Sequence, residues 1–171
     1  VRPHVVAITT VGPVHVENFP DGEVGVARAK AEIFDGIEPG GVAVLNADNP
    51  WFADLSAAAR KAGATVRSFG VAEGSDARLL DFAPEEGRAW VTARLDGEEL
   101  RFPILQTGFH WGPNSMAVLL MLEAMKVERQ TALAALGAFE PLAGRGAERA
   151  IHLPGGTFTL VRSEEHTSEL Q

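Results

Sequence analysis

The sequence predicts an α/β fold in which a mostly parallel sheet is flanked by helices and carries a small antiparallel β portion. Three observations point there. The runs His4 to Val11 and Gly40 to Ala47 are continuous apolar stretches rich in β-branched residues, as suits strands covered on both faces. Helical spacing separates them and returns after the second, giving strand, helix, strand, helix, strand, the βαβ signature of a parallel sheet. From Ala77 to Pro103 the period shortens to that of alternating strands.

Each element can be justified in turn. After the first strand a loop carries His15, and from Glu23 the spacing is helical, with Val26, Ala27, Ile33, Phe34 and Ile37 on one stripe. Lys30 falls in the middle of that stripe, while Arg28, Glu32 and Asp35 hold the opposite face. The segment "DNPWFADLSAAARKAG" reads as the next helix, with Asn49 as N-cap, Pro50 at the first helical position and Gly63 as the stop. "ATVRSFG" is the following strand. "ARLLDFA", "RAWVTARL" and "ELRFPIL" are the alternating strands, with "DGEE" as the sharpest hairpin signal. "GPNSMAVLLMLEAMK" returns to helix, with Asn114, Ala117, Val118, Met121, Leu122 and Met125 on one face. "ERQTALAALGAF" is a second helix and "TFTLV", Thr157 to Val161, a last strand.

Composition narrows the function classes. The 171 residues suffice for one domain with a real core. A formal charge of −8, without any basic run, argues against nucleic acid as partner. The absence of cysteine excludes disulfides, thiolate-ligated zinc and thiol catalysis. The apolar runs are too short for a membrane span, so no membrane insertion is expected. The opening "VRPHVVAITT" is no signal peptide and starts inside a strand-like run, as a piece of a longer protein would. The last ten residues, "RSEEHTSELQ", follow a buried strand without a turn residue and resemble a translated sequencing adapter. Residues 162–171 are therefore expected to be a read-through tail, and His166 is set aside as a ligand.

Four places could carry chemistry. A lysine buried without a partner favours the neutral amine, which can act as base or nucleophile or take up carbon dioxide as a carbamate, a hard oxygen ligand suited to Mg²⁺. Lys30 could equally snorkel to the surface or pair with Glu17. His15 lies beyond the end of a parallel strand, where open α/β sheets place ligands. His110, Trp111 and Asn114 cluster at a helix entrance, where asparagine can cap the backbone or bond a ligand edge. Arg145 stands between two glycines that would let a phosphate approach. His4 and His152 flank strands without partners at ligand spacing and are expected to be structural.

The segments "ITTVGPVHVENF", "GVARAKAEIFDGI", "GGVAVLNADNP", "GFHWGPNSMAVLL" and "FEPLAGRG", in this order, resemble the Mur ligase family, most nearly its MurF branch. The resemblance covers nearly all of residues 1–161 and implies a truncated central, ATP-binding domain. It implies that Lys30 is a carbamylated lysine holding a second Mg²⁺ near the ATP γ-phosphate, with His15 as a ligand of the same metal. It further implies that Asn114, with His110, meets the adenine, that Arg145 reaches the nucleotide phosphates and that Asn46 belongs to the ATP site. Trp111 and Phe109 depart from the family pattern, where asparagine and often arginine stand. Asp48 shares the strand-end motif with Asn46.

The reaction so implied is ATP-dependent joining of D-Ala-D-Ala to a UDP-N-acetylmuramoyl-tripeptide through an acyl phosphate, in a cytoplasmic, monomeric enzyme of peptidoglycan synthesis. No G-x-x-x-x-G-K-[ST] phosphate loop occurs in the chain. The phosphate-loop half and the N- and C-terminal domains are expected to be missing, and the fragment alone is expected to be inactive. The alternatives are another Mur-type ligase, a folylpolyglutamate synthetase, or a non-catalytic α/β binding domain.

Overall fold

The computed structural model describes residues 2–13, 16–140, 148–153 and 156–161, the last two stretches as backbone. Six strands form one sheet whose spatial order follows the chain: β1 (Val5–Ile8), β2 (Val42–Asn46), β3 (Thr65–Gly70), β4 (Ala77–Glu85), β5 (Arg88–Leu95) and β6 (Glu98–Ile104). The pairs from β1 to β4 are parallel, and those from β4 to β6 antiparallel. The antiparallel strands continue the parallel sheet edge to edge instead of forming a separate piece. Their last turn is the expected "DGEE" hairpin, with Asp96 and Gly97 both at positive φ, 51° and 89°, as a two-residue hairpin turn requires. A separate antiparallel pair follows, β7 (Glu148–Leu153) and β8 (Gly156–Val161). Thr157–Val161 is strand as expected, while β7 has no counterpart in the sequence reading.

Helices cover both faces. α1 (Glu23–Ala31) and α2 (Phe52–Lys61) lie on one side, and α3 (Trp111–Ala124) and α4 (Arg129–Ala138) on the other. Strand β2 shows how the sequence serves both layers. Ala43 and Leu45 pack with Val26, Phe34, Leu55 and Ala59, whereas Val44 packs with Phe69, Met116 and Leu120. A strand buried on both sides has no polar alternate positions to spare, which is why it reads as a continuous apolar run.

Several boundaries depart from the sequence reading for physical reasons. β1 ends at Ile8 instead of Val11, because the carbonyls of Thr9 and Val11 bond to the side chains of Asn46, the last residue of β2, and Asn49 in the loop after it. Asn49 does not cap α2 from the adjacent position. Its Oδ1 accepts from Trp51 N at 2.9 Å, a local turn that delays the helix to Phe52, and Gly63 follows the helix end as expected. α3 begins at Trp111, and its buried residues are Gly112, Ser115, Met116, Ala117, Leu119 and Leu120. Met125, expected inside, is 65% exposed. The inward arc is rotated because α3 serves the sheet and α4 together. Gly112 allows the close approach that this needs, since a Cβ there would stand 3.0 Å from both Leu79 and Phe82.

Candidate functional site

Lys30 does not enter the core. Val26 and Ala27 are buried as their spacing predicts, but Lys30 and Ile33 are exposed. α1 gives way after Ala31 to a 3₁₀ turn, Glu32–Phe34. That tighter turn advances each side chain by about 120° instead of about 100°, so Phe34 and Ile37 return to the core and Ile33 does not. The lysine instead lines a cleft of about 300 Å³ with Ala7, Ile8, Thr9, Thr10, Ala29 and Ile33, at the carboxyl end of β1. Lys30 forms no ion pair among the described residues, so its ammonium is available at that rim. His15 lies outside the described residues, and with it the expected pairing of the two.

The rim beside Lys30 is tied to the other strand ends by the loop after β2. Asn46 Nδ2 donates to Thr9 O at 2.8 Å, and Asn46 Oδ1 accepts from Asp48 N at 2.9 Å. The sequence reading sends Asn46 to ATP; in the fold both ends of its carboxamide hold protein backbone. Asp48 Oδ2 and Oδ1 accept from Val71 N and Ala72 N, both at 2.8 Å. Asn49 Nδ2 reaches Val11 O at 3.3 Å.

A second cavity, of about 190 Å³, opens between α3, α4 and the end of β6. Its walls are Ile104, Trp111, Val118, Leu122, Ala135, Leu136 and Phe139, with Gln106, Asn114 and Ser115 as the polar members. Because α3 starts at Trp111, Asn114 lies one turn inside the helix and cannot cap it. Its backbone N–H donates to His110 O at 3.2 Å, and the described residues give its side chain no hydrogen bond. Ser115 is spent internally on Gly112 O at 2.7 Å. Gln106, buried, donates to Phe139 O at 2.8 Å and so fixes the wall that Phe139 supplies. The sequence reading passed over Gln106 and Phe139. The available signal was a lone glutamine between an apolar strand and a glycine turn.

His110 is exposed at the helix entrance, its ring 5.4 Å from that of Trp111. Phe109, 60% exposed, meets Phe82 edge to face at 5.8 Å. Arg145 lies outside the described residues. Among the described residues there is no group of three or more His, Asp or Glu side chains that could hold a metal ion, and no helix long and apolar enough to cross a membrane. Lys30 and Asn114 therefore belong to two separate cavities, one at the β1 end and one under α3.

Residues 1–122 match the Mur ligase middle domain family. A UDP-N-acetylmuramate–L-alanine ligase from Saccharopolyspora erythraea is 36% identical over 124 residues, which cover 69% of this chain and 24% of that protein. MurF from Acinetobacter baumannii superposes with a TM-score of 0.79 at 25% identity, over 92% of this chain and 33% of its own. A MurF ligase from Thermotoga maritima, solved in complex with ADP, shares the fold with a TM-score of 0.71 at 22% identity, over 86% of this chain and 33% of its own. The chain spans about a quarter of the length of the first curated relatives that it matches.

Proposed function

The chain belongs to the Mur ligase family, and from that premise we propose that it is the central, ATP-binding part of a ligase that joins D-Ala-D-Ala to a UDP-N-acetylmuramoyl-tripeptide. Residues 1–161 are that partial domain and residues 162–171 an adventitious tail. The observation that carries the nucleotide assignment is the cavity under α3, where the carboxamide of Asn114, without a side-chain hydrogen bond among the described residues, stands among apolar walls. A flat heteroaromatic base needs such a slot: apolar faces to cover its ring and one donor–acceptor pair for its edge. His110 and Trp111 flank the entrance, and Arg145 is assigned to the phosphates by its motif.

The chemical problem of the first step is the attack of a carboxylate on the γ-phosphoryl group of ATP, anion on anion, with ADP as the leaving group. Cationic and metal groups at the transferring phosphoryl supply most of the acceleration in such reactions. Lys30 is the residue of this chain that we assign there. Lys30 has no ion-pair partner among the described residues; once its ammonium gives up a proton the neutral amine can add to carbon dioxide, and the carbamate would offer oxygen to Mg²⁺. His15 is assigned to the same metal. These two do not complete a metal site, and among the described residues there is no group of three or more His, Asp or Glu side chains that would do so. The amine of D-Ala-D-Ala then attacks the acyl phosphate and phosphate leaves. The isolated chain, which lacks a phosphate-loop motif, is inactive in this reading.

A second reading, addition of L-alanine to UDP-N-acetylmuramate, is favoured by the 36% identity to a ligase named for that reaction. The motif segments favour the first. The full-length protein should be assayed for phosphate release with each substrate pair. Release dependent on D-Ala-D-Ala and the tripeptide is the expected result; release with L-alanine alone moves the assignment to the second reading. Lys30→Ala in that protein should lower turnover by about 10²-fold or more, with partial recovery on adding short carboxylic acids. Unchanged turnover would remove Lys30 from the mechanism.

A further inference from the structure

We propose that Asn46, Asp48 and Asn49 form a positioning clasp that fixes the exits of β1 and β3 and thereby sets the wall facing Lys30, without any of the three touching the nucleotide. The role given to that wall rests on the reading of Lys30 above; the clasp itself rests on geometry.

Where parallel strands leave a sheet, their backbone groups lose ladder partners and must find others. Here the last residue of β2 and the loop after it supply them in both directions. Toward β1, Asn46 Nδ2 holds Thr9 O at 2.8 Å and Asn49 Nδ2 holds Val11 O at 3.3 Å. Toward β3, the Asp48 carboxylate takes the N–H groups of Val71 and Ala72, both at 2.8 Å. The remaining oxygens close the loop on itself, Asn46 Oδ1 with Asp48 N and Asn49 Oδ1 with Trp51 N, each at 2.9 Å. Every polar side-chain atom of the three residues thus holds protein backbone.

Two further observations fit a positioning role. Gly70 has φ +147°, and a Cβ on it would stand 2.5 Å from Asp48 Oδ2, so the chain keeps its last β3 residue bare where the carboxylate crosses it. Thr9 and Thr10, whose place the asparagines fix, line the same cleft as Lys30. A displacement of about 1 Å in such a wall can cost about 10²-fold in rate while leaving binding elsewhere intact.

The test uses Asn46→Ala and Asp48→Asn in the full-length protein, with steady-state kinetics and amide hydrogen exchange. Expected are a 10- to 100-fold fall in kcat (on the order set by misplacement) with KM for ATP within about twofold, and faster exchange at residues 9–11 or 71–72 respectively. A tenfold rise in KM for ATP at constant kcat would overturn the proposal in favour of direct nucleotide contact. Unchanged kinetics would overturn it too. Should Asn46→Ala fail to fold, Asp48→Asn, nearly isosteric, decides by the same criteria. If the unaltered protein shows no ligase turnover, the reading of Lys30 fails. The exchange arm still judges the clasp, which falls if neither loop exchanges faster.

Discussion

At the scale of single residues, the site is governed by which polar atoms are spent and which are left over. Asn46 and Asn114 are the same side chain in different employment. The first has both carboxamide ends on backbone, while the second lines a cavity without a side-chain partner among the described residues. Nothing in the sequence separates them, because the difference arises from where α3 begins. Lys30 shows the same limit. Its spacing placed it on the buried stripe, yet within α1 itself the buried residues are Gly25, Val26 and Ala27, and Lys30 is exposed. Gly70, by contrast, makes a demand of its own. Gly70→Ala combines an unfavourable φ with a clash against Asp48 and should destabilise the fold by about 1–3 kcal/mol, measured by urea unfolding. A change below a few tenths would mean that the Asp48 contact gives way freely.

At the scale of elements, the boundaries follow local chemistry. α4 is capped by Glu128, whose Oε2 accepts from Thr131 N at 2.8 Å. Backbone N–H groups, that of Gln130 first and then that of Thr131, hold its carboxyl below the ordinary value of 4.5. A depressed carboxylate stabilises the fold above its unfolded value, and the contribution is lost as pH falls through the folded one. The thermal midpoint of Glu128→Gln should therefore lie below that of the parent at neutral pH, and the gap should close in acid. A gap independent of pH would assign the cap to shape instead of charge. Arg129 fastens the same corner, donating to Glu123 of α3 at 2.7 Å and to Glu98 of β6 at 2.8 Å. For α3, periodicity found the helix but rotated its inward arc, since a helix clamped between a sheet and a neighbour buries more than one stripe. Leu120, fully buried there, should cost about 2–5 kcal/mol as Leu120→Ala, whereas Met125→Ala, on the exposed end, should cost far less in the same unfolding assay.

At the scale of the whole molecule, the class of fold was legible because continuous apolar strands, helical spacing and the Asp96-Gly97 turn all agree. Pairing within the sheet was less so, since sequence alone did not show that β4 joins the parallel strands on one side and the hairpin on the other. The outer edge of β1 has no strand beside it among the described residues. An open edge of this kind templates further pairing, so the isolated 171-residue chain should self-associate as its concentration rises. Sedimentation of a single monomeric species across that range would show the edge to be protected.

The order of the six strands in space is their order along the chain. Each strand from β2 to β6 therefore meets a neighbour that has already been made, and none of them has to wait for a later one to be inserted between it and its predecessor. On a ribosome, where residues emerge at about 5–20 per second, such a sheet can grow by addition at one side. β1 and β2 can pair with α1 between them before the α3 sequence has left the tunnel.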